Sequence, residues 1–402
     1  MNKVEAKRRR VPRGLKQDGV ALWSYGFRPF FLGGAVWAVL AMALWIAALI
    51  HGLPLGGGYG APLWHAHEMV FGFAPAVLAG FLLTAIPNWT GSLPVSGGPL
   101  IGLAGLWAAG RLAMAGAALW GMGAAALVDA AFLPALWTIA TREIVAGKKW
   151  NDLKVLAAVG AVTLGNLGFH VAAFWGGDPA LWLRGAVAGY VALILIIGGR
   201  IIPSFTRNWL AQRGAQAMPV PYRRFDMGVI GVSATALGLW ALAPESGLLL
   251  PAALAAAALN VARLARWRGL ACRAEPLLLV LHIAYAFVPL GFLAIAAAQA
   301  GAILPASALH VLTVGVIAPM MLAVMTRATR GHTGRALTAS GWTTLSYLCL
   351  FAAAIARPLA DLTGGMGLME AAGGLWIAAF GIFVAEHAPM LARQRRKPHG
   401  EG

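Results

Sequence analysis

The chain has 402 residues, 60% of them hydrophobic and only 11% charged, with 31 Lys+Arg against 14 Asp+Glu. A soluble domain carries roughly 25% charged residues, so this composition cannot coat a water-facing surface and excludes a soluble globular enzyme. The formal charge of +17 does not imply nucleic acid either, because the basic residues sit in the gaps between apolar runs instead of on one soluble face.

Apolar runs bounded by Gly/Pro turns or by Arg/Lys predict twelve helices. The first six run Arg28 to Ile50, Trp64 to Asn88, Leu100 to Leu119, Met122 to Ala146, Leu153 to Trp175 and Leu181 to Phe205. The second six run Met227 to Leu242, Gly247 to Trp267, Pro276 to Gln299, Leu304 to Ala328, Leu337 to Leu359 and Leu368 to Ala392, the seventh helix being the shortest. The expected fold is all-α: one twelve-helix transmembrane domain over 28–392, between basic tails at 1–27 and 393–402.

Lys and Arg gather in alternate connections. The tail residues Lys3, Lys7, Arg8, Arg9, Arg10, Arg13 and Lys16 share a side with four internal basic gaps and with Arg393, Arg395, Arg396 and Lys397, whereas the other side holds Arg184 and Arg357. Short basic loops resist translocation, so both termini are expected in the cytoplasm and the chain in a bacterial inner membrane. The basic N-terminus without a clear cleavage site reads as a retained signal anchor.

The second helix ends Ile86-Pro87-Asn88-Trp89-Thr90 and the sixth ends Ile202-Pro203-Ser204-Phe205-Thr206. With the tenth helix four further on, this echo suggests a threefold repeat of four-helix units. Cys272 and Cys349 form neither a disulfide framework nor a CxxC motif, so a metal must be held by other ligands.

Ionisable groups inside a membrane span are expensive and mark functional candidates. His65 and His67 open the second helix, His170 lies about 8 Å in from the outer end of the fifth and His310 about 9 Å in on the tenth; these four could converge on one outer-half site. His282, His332 and His387 lie toward the cytoplasmic side and could serve a second site or none.

The run Trp64-His65-Ala66-His67-Glu68-Met69 is the sharpest feature. Residues two apart on a helix point about 200° apart, so the two imidazoles cannot chelate one metal but can each ligate a different cofactor. Glu68, three residues after His65, shares its face and could orient it or move protons. A wet interfacial turn would explain the same run without chemistry.

Asn166 sits one turn before His170 as a hydrogen-bonding neighbour. Arg111 in the third helix and Asp129 in the fourth read as an ion pair, although a buried arginine there, like Arg200 on the sixth, could also hold a haem propionate. Met320, Met321 and Met325 read as flexible packing rather than Cu(I) ligands. No Walker loop, dinucleotide fingerprint, HExxH or nucleophile elbow is present.

Five motifs, Phe27-Arg28-Pro29-Phe30-Phe31, Trp64-His65-Ala66-His67-Glu68-Met69, Thr84-Ala85-Ile86-Pro87-Asn88-Trp89-Thr90-Gly91, Gly199-Arg200-Ile201-Ile202-Pro203-Ser204-Phe205-Thr206-Arg207-Asn208 and Gly331-His332-Thr333-Gly334-Arg335, resemble the NnrS family over most of the chain. The resemblance implies an inner-membrane protein carrying haem and copper, associated with denitrification and resistance to nitric oxide. A His-x-His helix facing two cofactors is also similar to the haem–copper oxidases and nitric oxide reductases, a likeness at fold level.

The expected function is therefore an oxidoreductase that binds nitric oxide and reduces it to nitrous oxide, using b-type haem and copper. His65, His67, His170 and His310 would be ligands, with Arg111, Asn166 and Arg200 around the cofactors, and His282 and His332 as further metal-ligand candidates. Glu68 and Asp129 would serve the proton path. Electrons would come from membrane quinol or a separate redox protein. The rivals are a non-catalytic protein that senses nitric oxide or handles haem or copper, and a secondary transporter, which the uncharged connection Asn88 to Pro99 argues against.

Overall fold

The structure, a computed structural model, describes residues 19–394; the remainder of both basic tails lies outside it. Among the described residues twelve helices form the bundle. They are α1 Phe27–His51, α2 Gly57–Thr90, α3 Gly98–Ala115, α4 Met122–Ala146, α5 Trp150–Phe174, α6 Ala180–Ala211, α7 Arg224–Leu242, α8 Leu249–Ala265, α9 Pro276–Gln299, α10 Pro305–His332, α11 Gly341–Thr363 and α12 Met366–Ala392. All but α8 are long and apolar enough to cross a membrane, and the chain is a multi-pass membrane protein. Leu112, Leu164, Leu242 and Leu348 stand exposed on the outside of the bundle, as a lipid-facing surface requires.

The shortest helix is α8, with 17 residues. The seventh, expected to be shortest, reaches back to Arg224 because Asp226 accepts from the Arg223 backbone N–H at 2.9 Å and secures the first turn. The second begins at Gly57 instead of Trp64. Its glycine-rich lead, Gly56-Gly57-Gly58-Tyr59-Gly60, supplies the left-handed turns that fold back onto the helix, with φ of 79° at Gly56 and 70° at Gly60.

Successive helices pack side by side and α12 closes on α1, while α2, α6 and α10 meet one another at the centre. Of the apolar stretch of α2, 83% is buried, against 28% for α1. Arg28 at the start of α1 donates to the carbonyls of Leu391 and Arg393, each at 2.7 Å, so the first helix caps the last.

The three central helices, four apart in the chain, share a defect. Each widens into a π turn, at Glu68–Phe73, Ile194–Gly198 and Val311–Ile317, and each carries a proline just beyond it, Pro75, Pro203 and Pro319. Proline removes a ladder N–H and crowds the carbonyl four residues back, and a π turn absorbs that disruption. The loosened carbonyls take side-chain donors: Val70 from Tyr190 Oη at 3.0 Å, Gly72 from Trp107 Nε1 at 2.9 Å and Leu195 from Arg263 Nη1 at 3.0 Å. The π turns recur at every fourth helix but in a different register from the helix endings, which align Pro87 with Pro203, whereas the proline beyond the π turn of α2 is Pro75.

Candidate functional site: a buried His/Asp cluster and an adjoining cavity

Where α2 to α5 come together near the start of α2, they enclose a polar cluster in which His67 and Glu68 have no exposed surface. Glu68 opens the π turn of α2. Its Oε2 accepts from Trp37 Nε1 at 2.7 Å and Arg111 Nη1 at 2.5 Å, and its Oε1 accepts from His67 Nδ1 at 2.8 Å. Gly72, in the same π turn, gives the room, since a Cβ there would overlap the Arg111 and Glu68 side chains.

Asp129 is placed by a break in α4. Pro134 crowds the carbonyl four residues back at Ala130, and the helix turns at Ala130 and Ala131 before resuming at Phe132. Asp129 ion-pairs with Arg111 Nη2 through Oδ1. Its Oδ2 meets His170 Nε2 at 2.9 Å, His67 Nε2 at 3.2 Å and Asn166 Nδ2 at 3.0 Å. Arg111 thus bridges Glu68 and Asp129, and the pair read from the sequence is a triad.

The donor atoms of His67, Asp129 and His170 lie within 4.8 Å of one another. A tetrahedral ion with bonds of about 2.1 Å keeps its ligand atoms about 3.4 Å apart, close to the separations here. The remaining imidazole nitrogens are engaged, His67 Nδ1 by Glu68 and His170 Nδ1 by Tyr59 Oη at 2.8 Å, the arrangement that fixes ligating histidines. Because His67 Nδ1 donates to Glu68, its Nε2 lone pair confronts oxygens of Asp129 and, at 3.1 Å, Asn166. Two carboxylates against one guanidinium leave a formal charge of −1 with both imidazoles neutral. The cluster therefore fits a bound cation.

His65 turns the other way. Its ring stacks on Trp45 with centroids 4.6 Å apart and lines a cavity of about 270 Å³ shared with His310 of α10. That volume lies near the lower end of cofactor pockets, roughly 300–1,000 Å³. The walls are apolar, among them Met42, Ile46, Phe73 and Trp376. His65 Nδ1 is buried without a partner, whereas His310 Nδ1 donates to the Ala306 carbonyl at 2.7 Å, which leaves Nε2 as its ligating atom. Arg357 also lines the cavity, held by Asp361 at 2.6 Å, which in turn accepts from Ser307 at 2.8 Å. Two imidazoles, apolar walls and an arginine at the rim suit haem and its propionates.

His65, His67, His170 and His310, which could have converged on one site, thus form two pairs. Glu68, expected to serve His65, bonds His67, because Arg111 and Trp37 draw its carboxylate to that side. Arg200 pairs with Asp152 at 3.2 Å at the opposite end of the bundle. There His282 bonds Thr206 Oγ1 at 2.8 Å, and His332 ends α10 against the rings of Tyr25 and Phe27; neither joins the two pairs. Near His282 the Cys272 thiol is buried, and burial pushes its pKa up. Tyr59, Trp45 and Arg357 escaped the sequence reading. The signals were a lone Tyr in a glycine-rich turn just before the His-x-His run, and an arginine standing, like Arg184, away from the basic connections.

Comparison with known families places nearly the whole chain: residues 21–395 match the family described as NnrS protein. No curated protein matches it significantly.

Proposed function

The chain belongs to the NnrS family, membrane proteins of the nitric oxide response, and on that premise we propose that it binds nitric oxide and reduces it to nitrous oxide with haem and copper. In this reading His65 and His310 hold a b-type haem in the cavity, with Arg357 toward its propionates, and His67, His170 and Asp129 hold copper. Haem supplies one-electron storage, and copper supplies a coordination position for the diatomic ligand. Both termini lie in the cytoplasm of a bacterial inner membrane, which puts the two sites in its outer half.

Coupling two NO molecules to N2O consumes two electrons and two protons and releases one water. The chain's contribution is positional. Ala66 alone separates the two imidazoles, so the α2 backbone joins the haem cavity to the cluster. Glu68 and Asp129 border the cluster and are the carboxylates able to hand on protons. Arg111 holds both in place and balances one of their charges, and the apolar walls exclude bulk water. Electrons enter from membrane quinol or a separate redox protein.

The observation that carries this reading is the opposed placement of His65 and His67, one in a haem-sized cavity and the other in a cation-ready cluster. The test is haem and copper content per chain in detergent-purified protein, followed by anaerobic NO consumption with a chemical reductant. More than one N2O per chain establishes turnover. Stoichiometric NO loss leaves a binding or sensing protein, and protein that stays colourless and metal-free after reconstitution removes the haem and copper assignments.

A further inference from the structure

A second cavity, of about 80 Å³, lies where α2, α6 and α10 meet. Its walls are Val77, Leu78 and Phe81 from α2, residues from Tyr190 to Ile201 of α6, and Met320, Met321 and Val324 from α10. Tyr190 lines both this cavity and the larger one containing His65 and His310. Its hydroxyl is occupied by the Val70 carbonyl at 3.0 Å, so its ring forms a fixed partition and no side-chain donor is left for the small cavity.

The fourfold helix spacing gives this cavity a meaning. The residue just before each π turn is His67 in α2, His310 in α10 and Leu193 in α6. The first two border the cation-ready cluster and the haem-sized cavity. The third, likewise just before its π turn, is apolar and lines the small cavity. The three π turns thus adjoin three inner spaces, and the one beside α6 offers neither imidazole nor carboxylate, only the thioethers of Met320 and Met321.

We propose that this third site holds a small neutral diatomic gas, nitric oxide in the cell, beside the larger cavity. A buried water needs about two to four polar partners, which these walls do not offer. An engineered apolar cavity of about 150 Å³ stays dry and takes benzene or xenon; half that volume has room for an atom or a diatomic molecule. Nitric oxide is apolar enough to partition into the bilayer, and a dry pocket one ring away from the larger cavity raises its local concentration there. The identity of the gas rests on the function proposed above; the pocket's capacity for an apolar atom does not.

The test uses full-length protein in phosphatidylcholine nanodiscs with xenon as the probe, read by 129Xe NMR. The wild type shows a saturable xenon shift, Leu193→Phe and Ile197→Phe each reduce it at least threefold, and Leu193→Ala retains it. Absence of xenon binding in the wild type, as an acyl chain filling the space would cause, overturns the proposal, as does equal binding by both phenylalanine variants. A second readout is the NO association rate after flash photolysis of reconstituted protein. A threefold or greater fall in the phenylalanine variants, with unchanged metal content, supports a holding site on the route, and an unchanged rate overturns that role. If the protein takes up no haem or copper, the function proposed above fails while the xenon result still decides whether the pocket takes an apolar guest.

Discussion

His65 and His67, with one alanine between them, serve different compartments: His65 stacks on Trp45 beside the cavity of about 270 Å³, and His67 stands 3.2 Å from Asp129 in the buried cluster. A helix turns about 100° per residue, so the opposition needs no distortion. It converts a two-residue spacing into a separation of chemistries and makes α2 the wall common to both.

Separate alanine variants should therefore lose different groups. His65→Ala and His310→Ala are expected to retain less than a tenth of the wild-type haem while keeping copper. His67→Ala and His170→Ala are expected to show the reverse. Pyridine haemochrome absorbance and elemental analysis of the same purified samples report both contents. Equal loss of both groups from well-folded His65→Ala and His67→Ala proteins would contradict the two-compartment assignment.

Tyr59 is expected to tune the metal without touching it. Its hydroxyl lies 2.8 Å from His170 Nδ1 and fixes the ring whose Nε2 faces Asp129. Loss of such an outer partner lowers metal affinity by about 10- to 100-fold. Tyr59→Phe should show a drop of that size in chelator competition, with haem content unchanged, because Tyr59 does not line the haem-sized cavity.

Much of this organisation is readable in the sequence, for physical reasons that also set the limit. Spans are written locally, as apolar runs bounded by breakers, so twelve helices emerge by inspection. The pairing of Arg111 with Asp129 is also local, because a short turn joins α3 to α4. The partnership of His65 with His310 is not, since it depends on how α2 and α10 meet across the bundle. Nor does hydropathy show the π turns, although Pro75, Pro203 and Pro319 mark them in retrospect. Glu68 was assigned to the wrong histidine because spacing records helix faces and not the pull of Arg111 from another helix.

Arg111 should be essential to the stability of the buried cluster. It is the single guanidinium bridging Glu68 and Asp129, and its side chain is 4% exposed. Removing one partner of a buried ion pair costs about 3–5 kcal/mol, because the remaining charge stays desolvated. Arg111→Met should lower the thermal unfolding midpoint by several degrees. Arg111→Lys should recover little, since a point-like ammonium cannot reproduce a fork reaching two carboxylates. Saturating the cluster with a divalent cation should restore part of the loss in the methionine variant, as the added positive charge replaces the missing one. Melting curves with and without metal read all three outcomes.

The network on α7 to α9 offers a contrast, because it contains no group assigned to chemistry. Arg263 is fully buried and donates through Nε to Asp226 at 3.0 Å and through Nη1 to Leu195 O and Tyr285 Oη, each at 3.0 Å. Tyr285 in turn donates to Asn260 Oδ1 at 2.8 Å, and Asn260 donates to Ser233 at 2.8 Å. Arg263→Met leaves the Asp226 carboxylate buried beside a thioether with the more distant Arg266 Nη2, at 4.0 Å, as its remaining cation, and should destabilise toward the lower end of about 3–5 kcal/mol. The double variant Arg263→Met/Asp226→Leu removes both charges and should regain most of that loss. It still forgoes the Asp226 contact to the Arg223 backbone at the start of α7, a cap worth about 1 kcal/mol. Haem and copper content should be unaffected in both. A double variant no more stable than the single one would mean that Arg263 acts mainly by securing the π turn of α6 through the Leu195 carbonyl, and hydrogen exchange at Ile194–Gly198 would then rise in both proteins alike.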